Sequence, residues 1–215
     1  MNASRNRGQH AGLDAGTILR AAIGLADREG LAALSMRRLG TELGVEAMAL
    51  YHHFPNKDAL LDGVVGELVA EADVPEFGGA DWRDNLRVYT RARFDTLVAH
   101  PNLIPLTLSR PATTEGNLRI MERVLRSLEN AGFEPLRALD MVFALNGLIV
   151  INAALLTGIG DAPEPHGEPG QTDRLARLSP ENYPLLVAAA EAGAGRGPTA
   201  RFEFALEALL AGFER

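Results

Sequence analysis

The sequence predicts an all-α fold. Apolar residues recur at spacings of three and four along most of the chain, the period of one buried helix face. Gly, Pro, Ser, Asp and Asn fall between these stretches, where helices start and stop. No segment shows a convincing strand pattern, and no internal repeat is visible.

The elements follow in order. Residues 1–12 read as a flexible, mildly basic arm that includes Arg5 and Arg7. From Asp14, a good N-cap, Ile18, Leu19, Ala22, Leu25 and Ala26 share a face, and Gly30 marks the stop. A second helix runs from Ser35 to Leu43, ended by Gly44, and a short third one from about Glu46 to His53. The fourth begins after Asn56, with Asp58 at the positive end of its dipole, and reaches about Ala72. Residues 73–80 break the pattern. Further helices are predicted over Trp82–Ala99, Asn102–Ser109, Thr113–Ala131 and Pro135–Thr157, the last apolar nearly all round and therefore largely buried. Residues 158–170 hold seven Gly or Pro and read as a mobile loop. Helices over 180–192 and Thr199–Phe213 complete the chain. The reading divides it into an arm (1–13), a first domain (14–60) and a larger helical domain (61–215).

Composition narrows the function. The 215 residues allow one sizeable domain or two modest ones, and 47% apolar residues supply real cores. Without Cys there is neither a disulfide framework nor a thiolate zinc site. The formal charge of −7 argues against nucleic acid until its distribution is seen. Residues 1–60 hold seven Lys and Arg against six Asp and Glu; the remainder holds fourteen against twenty-two. The acid therefore lies where phosphate need not be met. Residues 1–12 lack the apolar run of a signal peptide, and the Leu145–Leu156 stretch is short for a bilayer and interrupted by Asn146 and Asn152. A cytoplasmic protein with no membrane partner is expected.

The informative stretch is Ser35 to Phe54, SMRRLGTELGVEAMALYHHF. Two short helices joined by a tight Gly-containing turn form a helix-turn-helix, whose second helix enters the major groove of DNA. Leu39, Leu43, Val45 and Leu50 would pack the unit, leaving Ala47, Met48, Tyr51 and His52 to face outward. Met48 also reads equally well as a core residue.

With its flanks, this stretch resembles the tetracycline repressor (TetR) family. The resemblance is carried by Ala22, Gly30, Leu39, Leu43, Gly44, Val45, Leu50, Tyr51, Phe54, Asn56, Lys57, Leu60 and Leu61. Trp82–Arg83, Arg110–Pro111, Ala131–Gly132–Phe133, Pro184–Leu185–Leu186 and Phe204–Ala205–Leu206–Glu207 extend it loosely to a C-terminal part similar to that of the tetracycline repressor itself. The resemblance implies that Tyr51 and Lys57 hold the phosphate backbone. It implies that His53 meets DNA at the end of the recognition helix and that Arg37 contacts a base. Ala47 and Met48 fall at base-reading positions, where their apolar side chains offer only thymine-methyl contact, so specificity would rest on Arg37, His52 and DNA shape.

The resemblance also implies a small-molecule effector and a homodimer on a palindromic double-stranded operator. Pro135–Thr157 and Thr199–Phe213 would form a four-helix bundle with their symmetry mates, and Phe202, Ala205, Leu206, Leu209, Leu210 and Phe213 give the last helix a broad apolar face. Tyr89, Arg93, Leu106, Met141, Phe143, Asn146 and Ile149 are candidate linings of the effector pocket. His100 is either a structural cap or a polar group of that pocket. The magnesium ligands of the tetracycline repressor fall on Leu106 and Gly158 here, so no metal or other cofactor is expected, and the effector should be mainly apolar. Enzyme motifs are absent, and adjacent His52 and His53 point about 100° apart on a helix. The favoured reading is a ligand-released repressor. The alternative is a helical small-molecule-binding protein or enzyme that keeps a non-functional helix-turn-helix.

Overall fold

A computed structural model describes residues 13–72, 81–110, 114–159, 171–193 and 197–214. The arm, the 73–80 break and most of the 158–170 loop, with His166, lie outside the described residues. Those described form an all-α fold: α1 Ala15–Glu29, α2 Met36–Leu43, α3 Ala47–Tyr51, α4 Lys57–Glu71, α5 Trp82–Ala99, α6 Ile104–Ser109, α7 Glu115–Asn130, α8 Pro135–Thr157, α9 Gln171–Ala176, α10 Pro184–Ala192 and α11 Pro198–Gly212. Short 3₁₀ turns precede α2 and α6.

Local chemistry sets the early boundaries. Asp14 accepts from the Thr17 amide, Ser35 from Arg38 and Asn56 from Ala59, so each of these helices starts on the side chain expected of it. Gly44 closes α2 at φ 68°, in the left-handed region. Gly40 has a separate task. A Cβ there would lie 2.9 Å from the Val45 carbonyl oxygen and 3.2 Å from the Ala47 amide nitrogen, so its absence lets α2 and α3 touch backbone to backbone. Gly40→Ala must push the two helices apart. Overpacking of this kind costs about 1–3 kcal/mol, and the expected result is a lower thermal midpoint together with weakened DNA binding.

Two apolar clusters organise the molecule. The first joins α1, α2, α3 and α4 through Ile18, Ala22, Leu25, Leu39, Leu50, Leu60 and Val64, and it also takes in Leu103 and Leu106. The second joins α5, α7, α8 and α11 around Leu86, Phe94, Val124, Met141, Leu145, Phe202 and Leu206. Phe94 stacks on Phe202 with centroids 3.9 Å apart, and Trp82 meets Phe133 edge-on at 4.9 Å. The expected boundary at residue 60 falls inside α4. That helix gives Leu60 to Leu68 to the first cluster and packs against α7 of the second, so it belongs to both.

Three features differ from the sequence reading. A helix at Gln171–Ala176 was not anticipated, and the next one starts at Pro184 rather than at 180. α8 is not largely buried. Ala138, Met141, Val142, Leu145, Ile149 and Ala153 face α5 and α11, while Phe143, Ile151 and Leu155 are 58%, 57% and 64% exposed. By length and composition this helix could cross a membrane; in the fold its inner face is committed to the second cluster. On α11 the broad apolar face turns inward, since Phe202, Leu206, Leu210 and Phe213 are buried, and Phe204 is the large side chain left outside at 69% exposure.

Candidate nucleic-acid interface and effector site

The residues singled out for DNA lie on α2 (Arg37), along α3 and just past its end (Ala47, Met48, Tyr51, His52, His53) and at the start of α4 (Lys57). Arg37, Tyr51, His52, His53 and Lys57 are exposed, Ala47 is half-buried, and Met48 is 66% exposed, which removes its core reading. Leu50 is the fully buried residue of α3 and fixes the rotation of the helix. Met48 and Tyr51, three positions apart, therefore share the outer face. Leu39 is buried, and Leu43 and Val45 pack half-buried against the first cluster, as expected.

Charge on this unit is sorted by pairing. Arg28 binds Glu42 at 2.6 Å, and Arg38 pairs with Glu29 and Glu42. These contacts hold the Arg38 guanidinium above its ordinary range and Glu29 below the usual carboxylate range. Arg37 and Lys57 have no side-chain hydrogen bond or ion pair among the described residues. Arg37 and Lys57 thus remain available to an anion, while Arg28 and Arg38 are spent within the fold. Asp58, beside Lys57, is neutralised from the end of α6: Arg110 reaches Asp58 Oδ1 at 2.5 Å and Asp62 Oδ1 at 2.7 Å. Arg110 was legible in the sequence only as part of a resemblance; this screening of α4 was not.

The two clusters meet along the turn before α6. Asn102 donates to the Ala26 and Asp27 carbonyls, both at 3.0 Å, at the end of α1. His100 lies between Asp27 of α1, 2.8 Å from Nδ1, and Glu71 of α4, 3.2 Å from Nε2. Arg20 and Glu67 line the same cleft. His100 is thus a bridge between elements and not a lining of the second cluster, and Leu106 is buried with the first cluster. The stretch from His100 to Ser109 is wedged between the two clusters, with Leu103 and Leu106 in the first and Ile104 in the second, and it packs against α1 and α4 on one side and α8 on the other. Burial opposes charging of His100, but hydrogen bonds and attraction from Asp27 and Glu71 outweigh it and raise the imidazole above its ordinary range. The resulting stabilisation is full below the unfolded pKa of about 6.5 and is lost as pH rises through the folded value. The wild-type thermal midpoint should therefore fall relative to His100→Gln as pH rises above about 6.5, a difference that thermal melts at stepped pH will measure.

The remaining pocket candidates fall on two helices in contact, α5 and α8. Tyr89 is buried and donates to Asn146 Oδ1 at 3.3 Å, and burial pushes its phenol up. Met141 and Ile149 are buried in the same cluster, and Arg93 follows Tyr89 by one turn. Phe143 does not belong with them, because it faces outward. Leu106 is buried and Gly158 adopts φ 71°, and neither offers a donor side chain. Among the described residues no group of three His, Asp or Glu is placed to hold a metal ion.

Comparison with known proteins decides the family. Residues 18–64 match the description "Bacterial regulatory proteins, tetR family", and residues 74–215 match "Tetracyclin repressor-like, C-terminal domain". The chain belongs to the tetracycline repressor family. It is a helix-turn-helix transcriptional regulator, not an enzyme. The tetracycline repressor protein class A from transposon 1721 of Escherichia coli is 32% identical over 206 residues, spanning 94% of this chain and 91% of that protein. The HTH-type transcriptional repressor DrrR1 of Streptomyces coeruleorubidus is 28% identical, over 97% of this chain and 80% of its own. Among solved structures, ActR of Streptomyces coelicolor in complex with actinorhodin superimposes with a TM-score of 0.78 at 30% identity, covering 94% and 97% of the two chains. The TetR-family frame thus holds across both clusters, and α2–α3 is its helix-turn-helix.

Proposed function

We propose that this TetR-family protein is a dimeric repressor that binds a palindromic operator and leaves it when a small, mainly apolar molecule occupies the second cluster. The observation that carries the reading is the outer face of α2–α3. Arg37, Tyr51, His52, His53 and, at the start of α4, Lys57 are all exposed, and neither Arg37 nor Lys57 is paired among the described residues. Tyr51 and Lys57 hold backbone phosphates. His53 supports them, and Arg37 contacts a base with its planar fork. Ala47 and Met48 offer only apolar contact, which leaves His52 and DNA shape to complete the specificity.

The dimer rests on α8 and α11. Phe143, Gly147, Ile151 and Leu155 repeat every four residues along the outside of α8. Phe204, Ala208, Ala211 and Gly212 recur at spacings of three and four on neighbouring α11. The result is one contiguous apolar surface with small residues that admit close helix approach, a self-complementary patch suited to a two-fold axis. Two reading heads on such an axis meet half-sites about 34–36 Å apart.

The effector occupies the region of Tyr89, Arg93, Met141, Asn146 and Ile149. It acts by favouring the state whose heads are wrongly spaced, with α4 and the His100 bridge linking the two clusters. The TetR-family structures of ActR with actinorhodin and of a substituted TetR from Acinetobacter baumannii with minocycline support a small-molecule effector. A transcriptional repressor of this kind works in the cytoplasm, where its operator DNA lies. Genomic footprinting with the purified protein tests the reading: discrete two-fold symmetric sites are expected, and uniform coverage without preferred sites would overturn it.

A further inference from the structure

The sequence of α5 places four arginines on one helix, and they are not equivalent. Arg83 lies over the Trp82 ring at 4.2 Å and donates to the Leu210 carbonyl. Arg87 pairs with Asp84 and Glu207, and Arg91 with Glu203 and Glu207. Arg93 has no hydrogen bond or ion pair among the described residues, and no acidic side chain among them faces it. Burial nevertheless holds its guanidinium below the ordinary arginine range, with only the Tyr89 phenol opposing. Its side chain is half-buried.

A second polar group beside it is also unspent. Thr90 is fully buried, and its Oγ1 has no hydrogen-bond partner among the described residues. Tyr89, Thr90 and Arg93 fall within an arc of about 100° on the helix. Asn146, bound to Tyr89, completes the group from α8. The second cluster around these side chains is otherwise apolar. Buried polar groups normally have partners, and a buried cation left unpaired is among the costlier arrangements in a protein. Five donors in a planar fork match the paired oxygens of a carboxylate or a phosphate, and in an otherwise apolar cluster the singly charged carboxylate is the less costly of the two to bury.

We propose that the effector is an acid: an apolar ring body bearing a carboxylate, with Arg93 binding the carboxylate and the Thr90 hydroxyl donating a further hydrogen bond to it. This inference rests on the regulator reading and sharpens its ligand. On that account, unliganded Arg93 is a stability cost that the effector removes, so occupancy is favoured most by ligands that carry the charge.

Anthracene-9-carboxylate and anthracene-9-carboxamide, nearly isosteric and different in charge, are the probes. Their affinities for the full-length protein are read by fluorescence titration for wild type, Arg93→Met and Arg93→Lys. The wild type should prefer the carboxylate by about tenfold or more. Arg93→Met should abolish the preference by weakening the carboxylate alone, and Arg93→Lys should retain part of it. With no ligand, Arg93→Met should melt at or above the wild-type midpoint, because an unpaired buried cation has been removed. An unchanged preference in Arg93→Met, or carboxylate binding by the wild type no tighter than carboxamide binding, overturns the inference; so does absence of carboxylate binding. A marked drop in the Arg93→Met midpoint also overturns it, since Arg93 would then be a structural contact. Failure of the regulator reading shows separately, as wild-type protein without preferred DNA sites.

Discussion

Replacing Ile151 and Phe204 together by Glu is expected to turn the dimer into a monomer and to weaken operator binding by about 10²- to 10⁴-fold, the range lost when two linked sites become independent. Both side chains are more than half exposed in the single chain, so the substitutions remove no contact of its own core. Four carboxylates around a two-fold axis would instead meet across an apolar interface, where unpaired charge is costly. Sedimentation analysis reads the mass, and fluorescence anisotropy with operator DNA reads the affinity. The thermal midpoint should become independent of protein concentration in the variant and depend on it in the wild type. A double variant that stays dimeric would move the interface away from α8 and α11.

The second large effect concerns phosphate anchoring. Tyr51→Ala with Lys57→Ala should weaken operator affinity by at least about 100-fold, since hydrogen bonds to charged groups are worth about 1.5–3 kcal/mol each and the dimer loses two per subunit. The loss has a signature that a folding defect lacks. One phosphate-neutralising lysine fewer in each subunit lowers the slope of log affinity against log salt by about 2. Both residues are exposed, and neither belongs to the first cluster, so the melting curve should stay close to wild type. Effector affinity should be retained, which distinguishes a disarmed regulator from a misfolded one. Equal loss of DNA and effector binding would contradict the assignment.

What the sequence made legible was local. Asp14, Ser35 and Asn56 cap the helices they precede because a cap needs only the next few residues, and Gly44 ends α2 because a left-handed residue is needed within the same turn. The outward rotation of Met48 and Tyr51 follows from Leu50, a neighbour on the same helix. The misreadings are of longer range. His100 finds Asp27 seventy-three residues away and Glu71 twenty-nine away, and no spacing rule connects them. Leu106 is apolar, and hydropathy alone did not say which of two cores would bury it. The same limit affected α8 and α11. An apolar face shows that something covers it, but not whether the cover is the same chain. On α11 the residues assigned to a partner pack inward, and Phe204 stands outside.

Gly40 and Arg93 mark a further boundary of sequence reading. Gly40 looks like any helix glycine until the Val45 carbonyl is found 2.9 Å from where its Cβ would be. Arg93 looks like one of four arginines until the other three are seen to be engaged. In both cases the meaning lies in what surrounds a position, which only the packed structure supplies.

The central claim is that this chain is a sequence-specific DNA-binding dimer. The most direct test is an anisotropy titration at about 150 mM salt of the purified protein against a site recovered by footprinting and against a scrambled duplex of equal length. The account predicts at least about 10³-fold preference for the recovered site, the lower end for specific regulators, with two subunits bound per duplex. Affinities within tenfold of each other, or one subunit per duplex, would contradict it.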